Sequence, residues 1–346
     1  MRKHLNTLYV TLDDSYLQQD GESVAVRHAK ETKLRVPLHN LDGIVTFGWS
    51  IGCSPQLMAT CSRQGVTLSF CDGHGRFQAT AQGFSPGNVL LRRTQYRAAD
   101  DPDSSLAIAR HCVAAKLANS RQVLLRGARD HGTEKPDRHA ALTTAAAHLA
   151  HRIEAALTAT DLDALRGVEG DGADTYFQAF NHLLTIDGPT FRFTTRSRRP
   201  PLDPINALLS FLYSLLAHDL RSACEASGLD AAVGFLHRDR PGRAGLALDL
   251  MEEFRAVIAD RLALTLINRR QLTSADFVTQ ETGAVTLKED SRKTVLVSWQ
   301  ERKAAELRHP FLDEKTTWGL LPHLQARLLA RHLRGDLDAY PAFLLK

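Results

Sequence analysis

Residues 234–255 read GFLHRDRPGRAGLALDLMEEFR and place a histidine, an arginine-rich loop and several carboxylates within one short stretch. His237 follows an apolar run, and Asp249 and Glu252 lie three residues apart on a predicted helix, which puts both carboxylates on one face. Imidazole nitrogen and carboxylate oxygen bind divalent cations, and guanidinium groups neutralise charge that develops at phosphate. The pattern is therefore typical of metal-assisted chemistry on phosphate.

Each of these features also has an ordinary structural explanation. Glu252 can pair with Arg255 on a solvated helix face, and His237 can be a hydrogen-bonded core histidine. Their proximity favours a metal site, and ligation without cysteine favours Mg²⁺ or Mn²⁺ over structural zinc. Such an ion usually needs a further carboxylate, and composition leaves six upstream candidates open: Glu154, Asp161, Asp163, Glu169, Asp171 and Asp174.

The elements that must position these side chains change in type along the chain. Residues 1 to about 85 consist of short alternating apolar runs separated by the turn pairs Asp20-Gly21, Asp42-Gly43 and Asp72-Gly73, with one helix that begins after Ser54 and ends at Gly65. We predict helices at about 104–128, 139–158, 170–185, 203–227, 245–269 and 317–334, and a strand-type insertion over residues 277–299. The predicted fold class is α+β, with a β-rich domain at 1–90 and a larger, mostly α-helical catalytic domain at 91–346.

Composition sets limits on the class of protein. The chain has 346 residues, 43% hydrophobic content and five cysteines without a CxxC pair, which indicates a globular protein with reduced thiols. It lacks a GxGxxG or Walker motif, a signal-type leader and an apolar run of spanning length, so a cytoplasmic location is expected. The net charge of +4 permits an anionic partner. The arginines that could meet DNA are Arg92, Arg93, Arg97, Arg192, Arg196, Arg198 and Arg199.

Three segments together resemble the Cas1 family of CRISPR adaptation integrases. They are RGVEGDGADTYFQAF, RSRRPPLDPINALLSFLYSLL and residues 234–255. The N-terminal stretch IVTFGWSIGCSPQLMATCSRQGVTLSFCDGHGRF is similar to the β-rich domain of that family, so the resemblance covers almost the whole chain. The third motif is most similar to the subtype I-C branch.

The resemblance implies a role for each matching residue. Glu169, His237 and Glu252 fall on the positions that hold the divalent metal, and Asp249 matches a further acid near the site. Glu253 has no counterpart among the ligands and is expected to tolerate replacement. Basic residues expected to meet DNA are Arg240, Arg243, Arg198 and Arg199. Asn206, Ser210 and Tyr213 match positions near the active centre, although packing or capping explains Asn206 and Ser210 nearly as well.

The resemblance also implies an activity and partners. The 3′-hydroxyl of a short foreign DNA fragment attacks a phosphodiester at the edge of a CRISPR repeat, with Mg²⁺ or Mn²⁺ as cofactor, and water in place of the hydroxyl gives an endonuclease. The expected partners are double-stranded DNA, a second copy of the chain through the β-rich domain, and the small ferredoxin-like protein Cas2. The alternatives are a general metal-dependent nuclease acting on branched DNA and a non-catalytic DNA-binding assembly subunit.

Overall fold

The computed structural model describes residues 6–72, 77–81, 89–131, 135–186 and 191–345. The chain divides into two compact units. The first comprises residues up to Gly87 together with Leu296–Ala304, and the second comprises Asn88–Val295 and Ala305–Lys346. The predicted division at residue 90 is therefore incomplete, because Leu296–Ala304 also belongs to the first unit.

The first unit contains two four-stranded sheets among its described residues, with strand orders β1-β5-β7-β8 and β4-β3-β2-β6. In the first sheet β1, β5 and β7 run parallel and β8 is antiparallel to β7. The strands are β1 (Asn6–Val10), β2 (Tyr16–Asp20), β3 (Ser23–His28), β4 (Glu31–Pro37), β5 (Leu41–Phe47), β6 (Gly52–Cys53), β7 (Thr67–Cys71) and β8 (Phe77–Ala81).

Helix α1 (Pro55–Gln64) lies between β6 and β7 and has the predicted ends. The Ser54 side chain accepts a hydrogen bond from the backbone nitrogen of Leu57, and Gly65 ends the helix in the left-handed conformation at φ 73°. Side chains from strands and helix together form one buried apolar core, which includes Leu17, Val24, Leu38, Ile44, Leu57 and Leu68. Alternation along the strands thus gives each sheet an apolar face.

The second unit is mainly helical. Helices α3, α4 and α5 follow one another along the chain and pack together, and α6 packs against α7 and α10. Two short antiparallel hairpins, β9-β10 and β11-β12, accompany them. The elements are α2 (Val89–Asp100), α3 (Pro102–His131), α4 (Pro136–Thr158), α5 (Leu162–Ala179), α6 (Pro204–Ala226), α7 (Gly245–Met251), α8 (Arg261–Asn268), β9 (Phe277–Thr279), β10 (Val285–Leu287), the first part of α9 (Glu289–Ala304), β11 (Glu306–Arg308), β12 (Lys315–Thr317) and α10 (Leu321–Leu333). The rest of α9, from Leu296 onward, belongs to the first unit.

The predicted α+β class is confirmed, and four of the six predicted helices match α3, α4, α6 and α10 within a few residues. Helix α5 begins at Leu162, eight residues before the predicted start, because the Asp161 side chain caps it through the backbone nitrogens of Asp163 and Ala164. The turn pair at Asp20-Gly21 joins β2 to β3, with Gly21 at φ 58°. At the start of α3 the carboxylate of Asp101 accepts a hydrogen bond from the Ser104 nitrogen.

Two sequence-based assignments are wrong, and one helix was not predicted. The unpredicted helix is α2, whose buried Leu91 and Gln95 lie four residues apart. The second half of the predicted strand insertion is helix α9, because acidic residues in its first turn and basic residues in its last turn complement the helix dipole. Asp42 and Gly43 lie inside β5 rather than in a turn. The third predicted turn extends into Gly73, outside the described residues.

The five cysteines are free, as expected, and four of them are buried. In the part of the chain that the structure describes, no helix is both long and apolar enough to cross a membrane.

Candidate active site

The segment that carries His237 is held by one buried carboxylate. Asp249 on α7 accepts hydrogen bonds from the backbone nitrogens of Phe235, Leu236 and His237, and its Oδ1 lies 2.6 Å from His237 Nδ1. Because a carboxylate only accepts, Nδ1 carries the proton and the lone pair of the ring is on Nε2. Asp249 thus fixes the ring and its tautomer, which is the arrangement of a metal-binding histidine with a carboxylate behind it.

Close backbone contact explains why this segment begins with glycine. A Cβ on Gly234 would lie 2.7 Å from Asp249 Oδ2 and 2.7 Å from the carbonyl carbon of Gly245. A Cβ on Gly245, at the start of α7, would lie 2.7 Å from the carbonyl oxygen of Ala232. The two glycines therefore let the histidine segment lie directly against the helix that carries Asp249.

Two side chains outside the predicted motifs support the same segment. The Gln95 amide on α2 donates to the carbonyl oxygens of Asp230 and Val233, at 2.8 Å each, and accepts from the Asp230 nitrogen. Arg166 on α5 donates to the carbonyl oxygen of Leu236 at 2.8 Å. The sequence analysis missed both. The sequence could have indicated Gln95, because a polar residue on the apolar face of an amphipathic helix is buried and needs a hydrogen-bond partner.

A lysine that the sequence analysis did not consider joins two of the predicted metal ligands. The ammonium group of Lys116, on α3, pairs with Oε1 of Glu169 on α5 and lies 2.8 Å from Oε2 of Glu252. Lys116 is only 9% exposed. Glu169 and Glu252, which are 83 positions apart in the sequence, are therefore close enough to share one cation.

The other oxygen of Glu252 binds Arg255. Its Oε1 lies 2.9 Å from Arg255 Nη2, so the pairing considered in the sequence analysis is present, but Glu252 is buried and not on a solvated face. Burial alone would raise the pKa of Glu252, but attraction to Arg255, Lys116 and His237 outweighs it and lowers that pKa to about 2. The carboxylate is therefore charged at neutral pH and suited to binding a cation.

The helix predicted over 245–269 is interrupted at this carboxylate. Helix α7 ends at Met251, residues 252–254 form a turn, and a π-helical segment follows at Arg255–Asp260 before α8. Such π-helical insertions are frequent at functional sites because they redirect side chains. Here Asp249 contacts the histidine segment while Glu252 contacts Lys116, so the two acids have different partners.

Glu253 is buried and has a structural role. It was predicted to tolerate replacement only because it matches no metal ligand of the family. Its carboxylate accepts hydrogen bonds from the Gln325 amide, the Tyr340 hydroxyl and the backbone nitrogen of Phe343. The Asn119 amide donates to the carbonyl oxygen of Glu253 at 2.7 Å and to that of Phe343 at 2.8 Å. Glu253 thereby attaches the C-terminal segment to the turn that carries Glu252, which makes it unsuitable as a neutral control.

The residues on α6 that match family positions near the active centre form contacts within the protein. The Tyr213 hydroxyl donates to Asp260 Oδ1 at 2.7 Å. The guanidinium groups of Arg196 and Arg255 lie over the Tyr213 ring, at 5.3 and 5.2 Å from its centre. Asn206 accepts from Arg196 at 2.5 Å, so this arginine stabilises the interior and does not belong to the exposed set predicted to meet DNA.

The four arginines assigned to DNA lie on the second unit. Arg240, Arg198 and Arg199 are exposed, whereas Arg243 is half-buried. Arg92, from the wider set, instead lies 3.3 Å from Glu225 on α6. Phe191 and Phe193, which alternate with Arg192, are buried. A cleft of about 450 Å³ adjoins His237 and is also lined by Asp163, Arg166 and Arg238.

The residues present fit a divalent cation in chemistry and in charge. Two carboxylates already share a positive group, and the imidazole fixed by Asp249 offers a nitrogen, which together form the oxygen and nitrogen donor set expected for Mg²⁺ or Mn²⁺. Within the described ranges no three His, Cys, Asp or Glu side chains are yet arranged to hold an ion. What the structure does show is two pairs: Glu169 and Glu252 share the Lys116 ammonium, and His237 is hydrogen-bonded to Asp249.

Comparison with known proteins identifies the family. The family model described as CRISPR associated protein Cas1 matches residues 8–301. The CRISPR-associated endonuclease Cas1 1 of Chlorobaculum tepidum is 52% identical over 343 residues, covering 99% of both chains. The chain belongs to the Cas1 family. A second relative, CRISPR-associated endonuclease Cas1 2 of Rhodospirillum rubrum, is 53% identical over 348 residues and is covered completely.

Solved structures share the fold at lower identity. A CAS1 protein from Thermotoga maritima has a TM-score of 0.78 at 21% identity, over 95% of this chain and 97% of that one. A casposase bound to an integration product has a TM-score of 0.80 at 22% identity, over 99% and 95%. A chain of a Cas6-RT-Cas1–Cas2 complex has a TM-score of 0.81 at 22% identity, covering all of this chain and 37% of that one. The sequence-based identification of the family, and of an enzyme, is confirmed.

Proposed function

We propose that this protein joins the 3′-hydroxyl ends of short foreign DNA to a CRISPR repeat by metal-dependent transesterification, and that Glu169, His237 and Glu252 hold the metal. The observation that carries the proposal is that one cation already bridges Glu169 and Glu252, while a buried carboxylate orients His237. The family membership supplies the class of enzyme.

In the proposed reaction one phosphodiester replaces another. The attacking 3′-oxygen forms a bond to phosphorus, the bond from phosphorus to the 3′-oxygen of the repeat strand breaks, and the proton lost by the attacking hydroxyl is balanced by one gained on the leaving oxygen. When bound, Mg²⁺ or Mn²⁺ supplies Lewis-acid stabilisation of both oxygens and of the phosphate. With water as the nucleophile the same exchange gives the endonuclease reaction.

The chain's own residues position the reactants. Asp249 keeps the His237 ring in one tautomer and orientation, which removes the cost of ordering it during the reaction. Arg255 keeps Glu252 ionised in a buried position. Arg240 and Arg243, on the loop after His237, are proposed to neutralise phosphate charge, and the exposed Arg198 and Arg199 to contact the DNA backbone.

Membership of the Cas1 family also suggests partners for this chain. The solved Cas6-RT-Cas1–Cas2 complex, one chain of which shares this fold, supports Cas2 as a partner of this chain. We infer homodimerisation through the β-rich unit, which exposes Tyr16, Leu34 and Trp49, with Trp49 78% exposed. The third sequence motif supports subtype I-C, and the cytoplasm is the proposed location of the DNA-joining reaction.

One assay separates the proposal from its alternatives. Purified protein, Cas2, a duplex labelled beside its free 3′ ends and a repeat-bearing plasmid are incubated with Mn²⁺ or with chelator. We expect label to become covalently attached to the repeat only with Mn²⁺, and Glu169→Gln to abolish this joining while DNA binding persists. A general nuclease would shorten the duplex without joining it, and a non-catalytic assembly subunit would bind DNA equally well with chelator and join none.

A further inference from the structure

Lys116 occupies the position between the two carboxylates that the proposed metal needs. Its ammonium group contacts the oxygen of Glu169 and lies 2.8 Å from Oε2 of Glu252. The remaining oxygen of Glu252 is already bound to Arg255. The Glu252 oxygen left open to an incoming cation is therefore the one that Lys116 contacts.

Electrostatics explains why a cation is needed there. Two ionised carboxylates that share a largely buried site repel each other strongly, and removing them from water costs further free energy unless positive charge compensates. Glu252 is buried, so solvent does little to screen its charge from that of Glu169. The ammonium of Lys116 supplies the compensation in the metal-free protein.

We propose that Lys116 is an internal counter-cation that holds Glu169 and Glu252 at a shared separation in the metal-free protein and leaves this position when the divalent ion binds. The inference rests on the proposed metal site and extends it. An ammonium and a divalent ion cannot both occupy the gap between the same two oxygens. Lys116 therefore stabilises the metal-free fold, and it lowers metal affinity because each binding event must break its two ion pairs.

The test compares Mn²⁺ binding by full-length variants, measured by calorimetry and by the loss of free Mn²⁺ signal in electron paramagnetic resonance. Lys116→Met retains the length of the side chain without its charge and should bind Mn²⁺ about tenfold more tightly than the unaltered protein. Its melting temperature should be lower in chelator and should rise more on addition of Mn²⁺. Lys293→Met, an exposed lysine on α9, is the matched control and should change neither value.

A second measurement uses the unaltered protein and does not depend on any variant folding. Reductive methylation followed by mass spectrometry reports which lysine ammonium groups are accessible. We expect Lys116 to be protected in chelator and to become several-fold more reactive in saturating Mg²⁺, while Lys293 stays constant. Unchanged or weaker Mn²⁺ binding by Lys116→Met, or protection of Lys116 that Mg²⁺ leaves unaltered, would overturn the proposal.

Failure of the underlying metal site gives a different result. If Glu169→Gln and His237→Ala both bind Mn²⁺ as tightly as the unaltered protein does, the proposed metal centre itself is wrong. If those two variants lose Mn²⁺ while Lys116→Met gains no affinity, the metal centre stands and only the role of Lys116 is wrong.

Discussion

The carboxylate of Asp249 holds His237 at two points, with Oδ1 2.6 Å from the ring Nδ1 and 3.0 Å from the backbone nitrogen. The family resemblance placed Asp249 near the metal site without saying whether it binds the ion. Because its two oxygens accept three backbone hydrogen bonds as well as the ring, Asp249 acts through His237 in this structure. The distinction between a residue that binds the ion and one that orients a ligand has measurable consequences.

Replacing Asp249 should weaken metal binding without removing a ligand. We expect Asp249→Asn to reduce Mn²⁺ affinity by about 10- to 100-fold, because the ring loses its charged acceptor and its preferred tautomer. Calorimetric titration with Mn²⁺ provides the measurement. Asp239→Asn is the matched control, since Asp239 is exposed two residues from His237 and should leave affinity unchanged. Complete loss of binding, equal to that of Glu169→Gln, would indicate that Asp249 is itself a ligand.

The close contact at Gly234 predicts a steric effect on the same segment. Gly234→Ala should lower the free energy of unfolding by about 1–3 kcal/mol, because the new Cβ would overlap Asp249 and the backbone of Gly245. Gly167→Ala is the control: nothing lies within 4 Å of its Cβ position on α5, so it should stabilise by about 0.5–1 kcal/mol. Urea denaturation measures both, and equal effects would contradict the close packing described here.

Glu253 should prove costly to replace for a structural reason. Glu253→Ala leaves the buried Tyr340 hydroxyl and the Phe343 nitrogen without their acceptor, so we expect a loss of about 3 kcal/mol or more in unfolding free energy. Glu253→Gln retains an acceptor and should lose less. Glu281→Ala, at an exposed position, controls for removal of a carboxylate. Denaturation of the three variants decides the point, and a Glu253→Ala protein as stable as the control would refute the assignment.

The buried carboxyl of Asp260 predicts a pH dependence of stability. Burial raises its pKa to about 6, even though the hydroxyl of Tyr213 and the nearby charges of Arg196 and Arg255 favour the ionised form. Its ordinary value is 3.8, so between about pH 4 and pH 6 the folded protein retains a proton that the unfolded chain has lost. The stabilisation is therefore complete below pH 4 and is lost as the pH rises through 6.

The variant Asp260→Asn isolates this contribution, because asparagine keeps a hydrogen-bond acceptor and does not ionise. The unfolding free energy of the variant, relative to the unaltered protein, should increase by up to about 3 kcal/mol between pH 4 and pH 8. Glu253, whose pKa burial raises to about 7, is present in both proteins and cancels in the difference. A pH-independent difference would show that Asp260 ionises normally.

The exposed Arg240 predicts a salt-dependent effect on DNA binding. Arg240→Ala should weaken binding to all sequences and reduce the slope of log affinity against log salt by about 0.9, since one phosphate contact and its counterion release are lost. Arg269→Ala, exposed at the end of α8, should leave the slope unchanged. Fluorescence anisotropy at several salt concentrations measures both slopes. Equal slopes for the two variants would remove Arg240 from the DNA contact.

The sequence predicted the fold class and the ligand-bearing segments because these depend on local pattern and on motif. Periodicity located α3, α4, α6 and α10, and Ser54 and Gly65 located both ends of α1. Periodicity did not reveal that Glu252 is buried, because a helical pattern does not show that α7 ends at Met251 and that a π-helical segment begins at Arg255. Burial on every side of this segment is a tertiary property.

Lys116 and Gln95 also could not be predicted from local sequence. Each is one polar residue within a helix, and its role arises from a partner more than 50 residues away: Glu169 for Lys116 and Asp230 for Gln95. Short motifs carry no signal for such pairs. The arginine-rich segment before α6 was misread for a related reason, since Arg196 bonds internally while its neighbours Arg198 and Arg199 are exposed.

The most direct test of the account is the location of Mn²⁺ in crystals of the full-length protein, from the anomalous scattering of the ion. We expect one strong peak within coordination distance of Glu169, Glu252 and His237 Nε2, with Asp249 still bound to Nδ1 and the Lys116 ammonium withdrawn from the two carboxylates. A peak bound by Asp249 in place of His237, or saturating Mn²⁺ with no peak between Glu169 and Glu252, would contradict it.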